Sequence, residues 1–354
     1  MLKYLSLFSG IGSPEQALKN LGVEFELFGF SEIDKYAIKS YCAVHGVDES
    51  LNLGDITKID IESLPLDIDL ITHGSPCQDF SVAGSGKGGD IGTGTRSSLM
   101  WNTVAICEHC KPKYVIWENV KNVLSDKHKH NFDKYLKTMD DMGYNSYYEV
   151  LCGTDYNIPQ IRERIVVVSI RKDIDNCEFQ FVKPAKVNNT FYDFLDEEVD
   201  EKYYKSKFFK SKSKYEHETF DDMTVYKLVE NKDKVSKRND GNLYTLTASG
   251  RNCGSNQYIA KLGRVLTPAE SLKLMGFDYS DYEKLKEIGM PETKIYKQAG
   301  NSIIVNELYY IFRELNRLFP NDFLVDMRMI SLFSGIGAFE KALDKLCNDI
   351  KFCR

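Results

Sequence analysis

The chain has 354 residues, 42% of them hydrophobic, and a formal net charge of −6. That size supports one large domain plus a smaller one, and no apolar run approaches the ~20 residues of a membrane span. The acidic balance does not advertise nucleic-acid binding, although a local basic patch can carry phosphate contacts on an acidic protein; nine cysteines without a framework indicate free thiols in a reducing cytosol.

The elements alternate from the start. Tyr4-Leu5-Ser6-Leu7-Phe8 reads as a short strand with no signal-peptide pattern before it, and it enters the turn Ser9-Gly10-Ile11-Gly12 and a helix through Ala17 and Leu18. Phe25–Phe30 reads as a second strand, with Glu32 at its end and a helix through Ala37 and Tyr41 behind it. Gly54-Asp55-Ile56-Thr57 closes a third candidate strand at Asp55. Asp69–Thr72, Tyr114–Trp117 and Arg164–Ile170 read as buried strands, the last the strongest in the chain. Strands alternating with helices predict an α/β fold, a doubly wound and mostly parallel sheet.

From about Lys172 to Leu262 the pattern turns polar and irregular, with turn signals at Asn239-Asp240-Gly241-Asn242 and Ser249-Gly250, as expected of a small inserted domain. Between Glu201 and Arg238, eleven Lys/Arg stand against seven Asp/Glu, and Lys202, Lys205, Lys207, Lys210, Lys212 and Lys214 are interleaved with aromatics. Such a stretch is either a solvated linker face or a backbone-tracking contact with nucleic acid. Regular structure returns where Thr267 caps a helix, with Pro268 at its first position and Glu270 three residues on. A last amphipathic helix is expected from Ile303 to about Leu318. Beyond it, Ile330–Leu343 repeats Leu5–Leu18 at ten of fourteen positions, which reads as a truncated tandem duplication or the start of a second domain.

Three segments carry chemistry. Gly74-Ser75-Pro76-Cys77-Gln78-Asp79-Phe80-Ser81 offers a thiol after a strand, Glu118-Asn119-Val120 an acid, and Gln160-Ile161-Arg162-Glu163-Arg164 two cations. Most free cysteines are small buried hydrophobes, surface arginines usually pair with carboxylates, and an acid after a strand is more often a helix cap. All three beside strand ends, where open α/β sheets place ligands, is a rarer arrangement. Phe8–Gly12 lets backbone approach a ligand, Glu32 suits ribose hydroxyls and Asp55 an adenine amino group. The glycines of Ala83–Gly94 fit a surface loop or a lid beside Cys77. Cys107-Glu108-His109-Cys110 lacks the second ligand pair of a structural zinc site, and no metal is expected.

With these motifs in this order, residues 2 to 319 closely resemble the cytosine-5 DNA methyltransferases. The resemblance implies a class I S-adenosylmethionine-dependent methyltransferase fold, with a catalytic and cofactor domain at 1–171, target recognition at 172–262, a return to the catalytic domain at 263–320 and the partial repeat at 321–354. It implies S-adenosylmethionine (product S-adenosylhomocysteine) at Phe8, Ser9, Gly10, Ile11, Gly12, Glu32, Ile33, Asp55, Ile56, Pro76, Leu99, Asn301 and Ser302. Catalysis falls to Cys77, Glu118, Arg162 and Arg164. In the implied chemistry, Cys77 attacks C6 of a flipped cytosine, Glu118 holds N3, Arg164 holds O2, and Arg162 holds a flanking phosphate or the motif itself. Gln78, Ser81, Lys87 and Thr245 are assigned to DNA, with Arg251, Asn252, Ser255, Asn256 and Gln257 as candidate base readers. Ala83 departs from the family, where many relatives carry serine, and this calls into question a hydroxyl wedge from that position. The tRNA-directed members usually carry a Cys-Phe-Thr signature that this chain lacks, so the expected partner is double-stranded DNA. A monomer in a bacterial or phage-infected cytoplasm, with a cognate restriction endonuclease encoded nearby, completes the expectation.

Overall fold

A computed structural model of the chain describes residues 1–76, 89–90, 95–204, 222–227, 236–248 and 257–324. Its main sheet takes β1 (Leu2–Leu7), β2 (Phe25–Ser31), β3 (Leu70–His73), β4 (Tyr114–Val120), β5 (Tyr144–Cys152) and β7 (Glu163–Arg171) in the order β2-β1-β3-β4-β7-β5. β2, β1, β3 and β4 run parallel, whereas β7 is antiparallel to both β4 and β5.

Alternation along the strands divides the core into two layers. Tyr4, Leu70, Tyr114, Ile116, Val166 and Val168 face one layer, with α1 (Ser13–Leu21) and the last helix packed on it. Leu5, Leu7, Ile71, Val115, Trp117, Ile165 and Val167 face the other, with residues of α3 (Met100–Cys110) and α4 (Lys129–Asp141). Local signals set the ends of the helices. Gly12 (φ 80°) and Gly22 (φ 78°) bound α1 in left-handed conformations. The Asp34 carboxylate accepts from Tyr36 N–H to start α2 (Lys35–His45).

The expected strand ending at Asp55 is absent: Phe30 and Asn52 form an isolated bridge, and Asp55 caps the 3₁₀ turn Ile56–Lys58. Asp55 accepts from Thr57 N–H and its hydroxyl at 3.0 and 2.8 Å, so the local Asx geometry wins over strand pairing. Strand β5 also stands where no apolar run predicts one.

The irregular stretch contains a second sheet. β6 (Gln160–Ile161) pairs with β10 (Leu243–Tyr244), while β8 (Val225–Lys227), β9 (Ser236–Arg238), β11 (Gln257–Ile259) and β12 (Arg264–Val265) form an antiparallel sheet in the order β12-β11-β8-β9. Tyr203, Tyr226, Tyr258 and Val265 fill its small core. The sheet takes β12 from beyond Leu262. α5 (Pro268–Lys273) follows, and its capping box forms as the sequence predicts, the Thr267 hydroxyl accepting from Glu270 N–H and the Glu270 carboxylate from Thr267 N–H. Then come α6 (Tyr279–Glu287), α7 (Glu292–Asn301) and α8 (Val305–Leu318). Residues 1–324 form one compact unit, and the repeat at Ile330–Leu343 lies outside the described residues. Among those residues, no helix is long and apolar enough to cross a membrane.

Candidate active site

The parallel strands deliver their carboxyl ends to one rim of the main sheet, and the reversed β7 delivers its start to that same rim. Val120, the last residue of β4, pairs with Arg164, and Glu118 with Val166. Glu118 and Arg164 thus come from segments far apart in sequence and meet, Arg164 Nε lying 3.0 Å from Glu118 Oε1. Their side chains are only 13% and 16% exposed, so the pair is largely desolvated yet reachable from outside. Burial pushes the Glu118 carboxyl up, against the pull of Arg164 and Arg162.

The segment leading to Cys77 is clamped beside this pair. Trp117 Nε1 donates to Ser75 Oγ at 3.0 Å, Asn119 Nδ2 donates to Ser75 O at 3.2 Å, and Ser97 Oγ donates to Pro76 O at 2.8 Å. A side chain at Gly74 would touch Glu118 Oε2 at 3.8 Å, an ordinary contact that places this backbone next to the acid. Cys77, Gln78, Ser81, Ala83 and Lys87 lie outside the described residues. So do Arg251, Asn252, Ser255 and Asn256.

Arg162 is 2% exposed and spends its guanidinium on protein carbonyls: Leu246 O at 3.0 Å, Gly300 O at 3.1 Å and Ser302 O at 2.6 Å. Of the two roles left open for it, these bonds are those of a residue that holds the motifs together. A flanking phosphate cannot reach a group this deeply covered. Gln160, fully buried, works beside it, accepting from Leu246 N–H and donating to Leu274 O, each at 3.0 Å. Thr245, half-buried, donates to Ile161 O at 2.6 Å. Gly300 is required where it stands, because any side chain there would overlap the Thr247–Ala248 backbone.

The glycine turn after β1 forms the other half of the rim. Phe8 takes a left-handed φ of 54° and Gly10 one of 57°. A Cβ at Gly10 would meet nothing within 4 Å, so bare backbone faces open space there. Gly10 N–H donates to Glu32 Oε2 at 3.0 Å, and Ile33 N–H and Asp34 N–H both donate to Oε1 at 2.8 Å. A carboxylate has about four acceptor sites, so Glu32 keeps capacity for a further donor. Ile33 beside it is 74% exposed, an apolar face next to an acid. Hydrogen bonds from Thr57 hold the Asp55 carboxyl below its usual range. Ser9, Ile11 and Ile56 are buried, and Leu99 is half-buried in the 3₁₀ turn Arg96–Leu99. Ser302 Oγ lies 2.8 Å from Ser13 Oγ at the start of α1, tying the last motif to the glycine turn, while Asn301 is exposed.

Sequence reasoning missed several supports. His45 Nε2 donates to Ile11 O at 2.8 Å, and burial holds the ring neutral with its pKa lowered to about 3. A side chain at Gly12 would overlap that ring. Nothing in the sequence marked His45, which lies 34 positions from Ile11. Gln257 is corrected as a base reader: it is fully buried, and both ends of its amide bond the backbone of Tyr244. Among the interleaved lysines only Lys202 is described, and it pairs with Glu292 at 2.6 Å. Cys107 and Cys110 are packed in the core, where burial pushes the Cys110 thiol up to about 11 and Cys107 further.

The chain is 30% identical to the orphan methyltransferase M.SPRI of Bacillus phage SPR, an alignment covering 90% of this chain and 98% of that protein. It is 34% identical to the type II methyltransferase M.HhaI of Haemophilus parahaemolyticus, covering 88% and 93%. The fold is shared with the crystal structure of the Dnmt2 methyltransferase of S. pombe, with a TM-score of 0.64 at 21% identity, over 91% of this chain and 99% of that one. The sequence profile of the C-5 cytosine-specific DNA methylases matches residues 2–317, and the chain belongs to that family.

Proposed function

We propose that the protein methylates C5 of a flipped cytosine in one short sequence of duplex DNA, through a covalent bond from Cys77. The observation that carries the reading is the desolvated Glu118–Arg164 pair, set against the clamped backbone at Gly74–Pro76, one residue before the thiol.

C5 of cytosine is a poor nucleophile inside the base stack, so the base must leave the helix at a cost of a few kcal/mol. The Cys77 thiolate adds to C6, and the electron pair displaced from the C5–C6 bond makes C5 nucleophilic. Glu118, its proton affinity raised by burial, shares a proton with N3 and accepts from the exocyclic amine, and the proton at N3 stabilises the added negative charge. Arg164 both orients Glu118 and holds O2. After transfer a base takes the C5 proton, the electron pair re-forms the double bond, and Cys77 departs.

The bare backbone at Gly10, the spare acceptor capacity of Glu32, the exposed Ile33 and the ionised Asp55 fit a nucleoside cofactor with ribose hydroxyls and an amino group. S-adenosylmethionine bound there supplies an electrophilic methyl group. Recognition is assigned to the region 172–262, whose second sheet lies beside the Thr245 segment, with Arg251 and Asn252 as base readers. The biological setting is restriction–modification or protection of phage or mobile-element DNA, and the relatives include both orphan and type II enzymes.

The test is bisulfite sequencing of genomic DNA from cells expressing the intact protein or Cys77→Ser. Protection of cytosines in one short motif, lost in the variant, is expected. Soluble expression with no protected motif in either case would sink the DNA reading and direct attention to RNA.

A further inference from the structure

Four glutamates are buried among the described residues. Three have partners: Glu15 accepts from Tyr41, Glu270 pairs with Arg264, and Glu314 with Arg317. Glu307 has none. It is fully buried, and neither carboxyl oxygen has a hydrogen-bond partner.

Its position is fixed and close to the chemistry. Glu307 is the third residue of α8, whose start is held by Val305 N–H on Met275 O at 2.9 Å and by Asn306 Nδ2 on Tyr156 O at 3.3 Å. Arg162 grips Ser302 O, five residues before it. The charged and titratable groups acting on Glu307 are Arg162 between β6 and β7, Arg164 on β7, Glu118 on β4, and Asp155 and Tyr156 in the turn before β6. The Tyr156 hydroxyl is likewise buried without a partner.

We propose that Glu307 is a positioning residue for methyl transfer, whose uncharged carboxyl leaves Arg162 and Arg164 facing a single carboxylate, Glu118, and keeps the pocket one positive charge in excess. This role rests on the function proposed above. The excess favours the Cys77 thiolate and the negative charge that passes onto the base. Ionised Glu307 cancels it through space, without touching substrate. A buried carboxyl with no donor is poorly suited to carry charge, and burial pushes this one up to about 8, against the pull of Arg162.

The experiment compares wild type with Glu307→Gln, measuring kcat/KM for DNA methylation and the melting temperature between pH 5 and 9.5. Wild-type kcat/KM should fall above a midpoint near 8, and the variant should lack that limb, so that the Gln-to-wild-type ratio rises about tenfold between pH 7 and 9. The melting temperature of the variant should gain on wild type from pH 5 up to about 8 and level off above it. Superimposable rate profiles would overturn the role, and so would a constant melting difference. If Glu307→Gln fails to fold, Glu307→Leu, which cannot ionise either, repeats both measurements. Absence of methylation by both proteins at every pH would sink the functional reading and this role with it. The melting curves would still show whether Glu307 holds its proton.

Discussion

Asn119 shows how much a single amide can organise. Its Nδ2 donates to Ser75 O at 3.2 Å and its Oδ1 accepts from Val120 N–H at 2.9 Å, all at 1% exposure. It therefore holds the end of β4 and the backbone before Cys77 in one geometry. Asn119→Ala leaves the buried Ser75 carbonyl without this partner, at about 1–3 kcal/mol, and frees the part-buried Val120 N–H. The larger expected effect is kinetic, because misplacing a nucleophile by an ångström costs on the order of 100-fold. Single-turnover methylation should slow by roughly that factor, while calorimetric affinity for S-adenosylmethionine changes little. Equal losses in both would assign Asn119 to general stability.

Strands and caps differ in how far they can be read from sequence. β1, β3, β4 and β7 are apolar on both faces because helices cover both, and a continuous apolar run announces that burial. β5 lies at the sheet edge with mixed exposure, so Tyr144–Cys152 carries no such run. The Thr267 box was legible because its three signals are adjacent. Gln257 was misread because its partner, Tyr244, lies 13 positions away, and a polar residue in a turn-rich stretch looks free until that partner is known. Glu307 resembles any acid in a first helical turn, and only the packing of α8 onto the rim removes it from water. The rim chemistry was readable as motifs, but the antiparallel entry of β7 that joins Arg164 to Glu118 is a matter of topology.

The same contrast governs the Arg264–Glu270 pair beside that box, 3% and 0% exposed, with two bonds of 2.9 and 2.7 Å. Removing one partner of a buried pair costs about 3–5 kcal/mol, whereas replacing both with apolar groups is often close to neutral. Glu270→Leu should therefore lower stability in denaturant titration by that amount, and Arg264→Met with Glu270→Leu should be the more stable of the two variants. The recovery stays incomplete, since Glu270 also accepts from Thr267 N–H and Asp196 N–H.

For the whole molecule, buried titratable groups set a narrow pH optimum of stability. His45 and His73 are held neutral with pKa values lowered to about 3. The unfolded chain binds a proton at each from its ordinary value near 6.5 downward, so stability falls as pH drops from about 6.5 toward 3, by up to about 1.4 kcal/mol per unit per histidine. Glu307 acts in the other direction. Raised to about 8, it is protonated in the fold and ionised in the unfolded chain between its ordinary value and 8, so stability falls as pH rises through that window. Melting temperature should peak near pH 6.5, and His73→Phe should flatten the acid limb without moving the alkaline one. An unchanged acid limb would mean that His73 is already charged in the fold.

The bond between Ser13 and Ser302 spans 289 positions, and Arg162 reaches carbonyls 138 and 140 positions ahead of it. Contacts of such separation cannot form before the last partner, Ser302, has been synthesised. A growing polypeptide holds its thiol, its acid and its arginines long before Ser302 has been made. All the reactive groups then exist without a place to act, and methylation waits for the last tenth of the unit to be synthesised and docked. A premature stop before that residue should therefore yield a silent protein, and never a careless one.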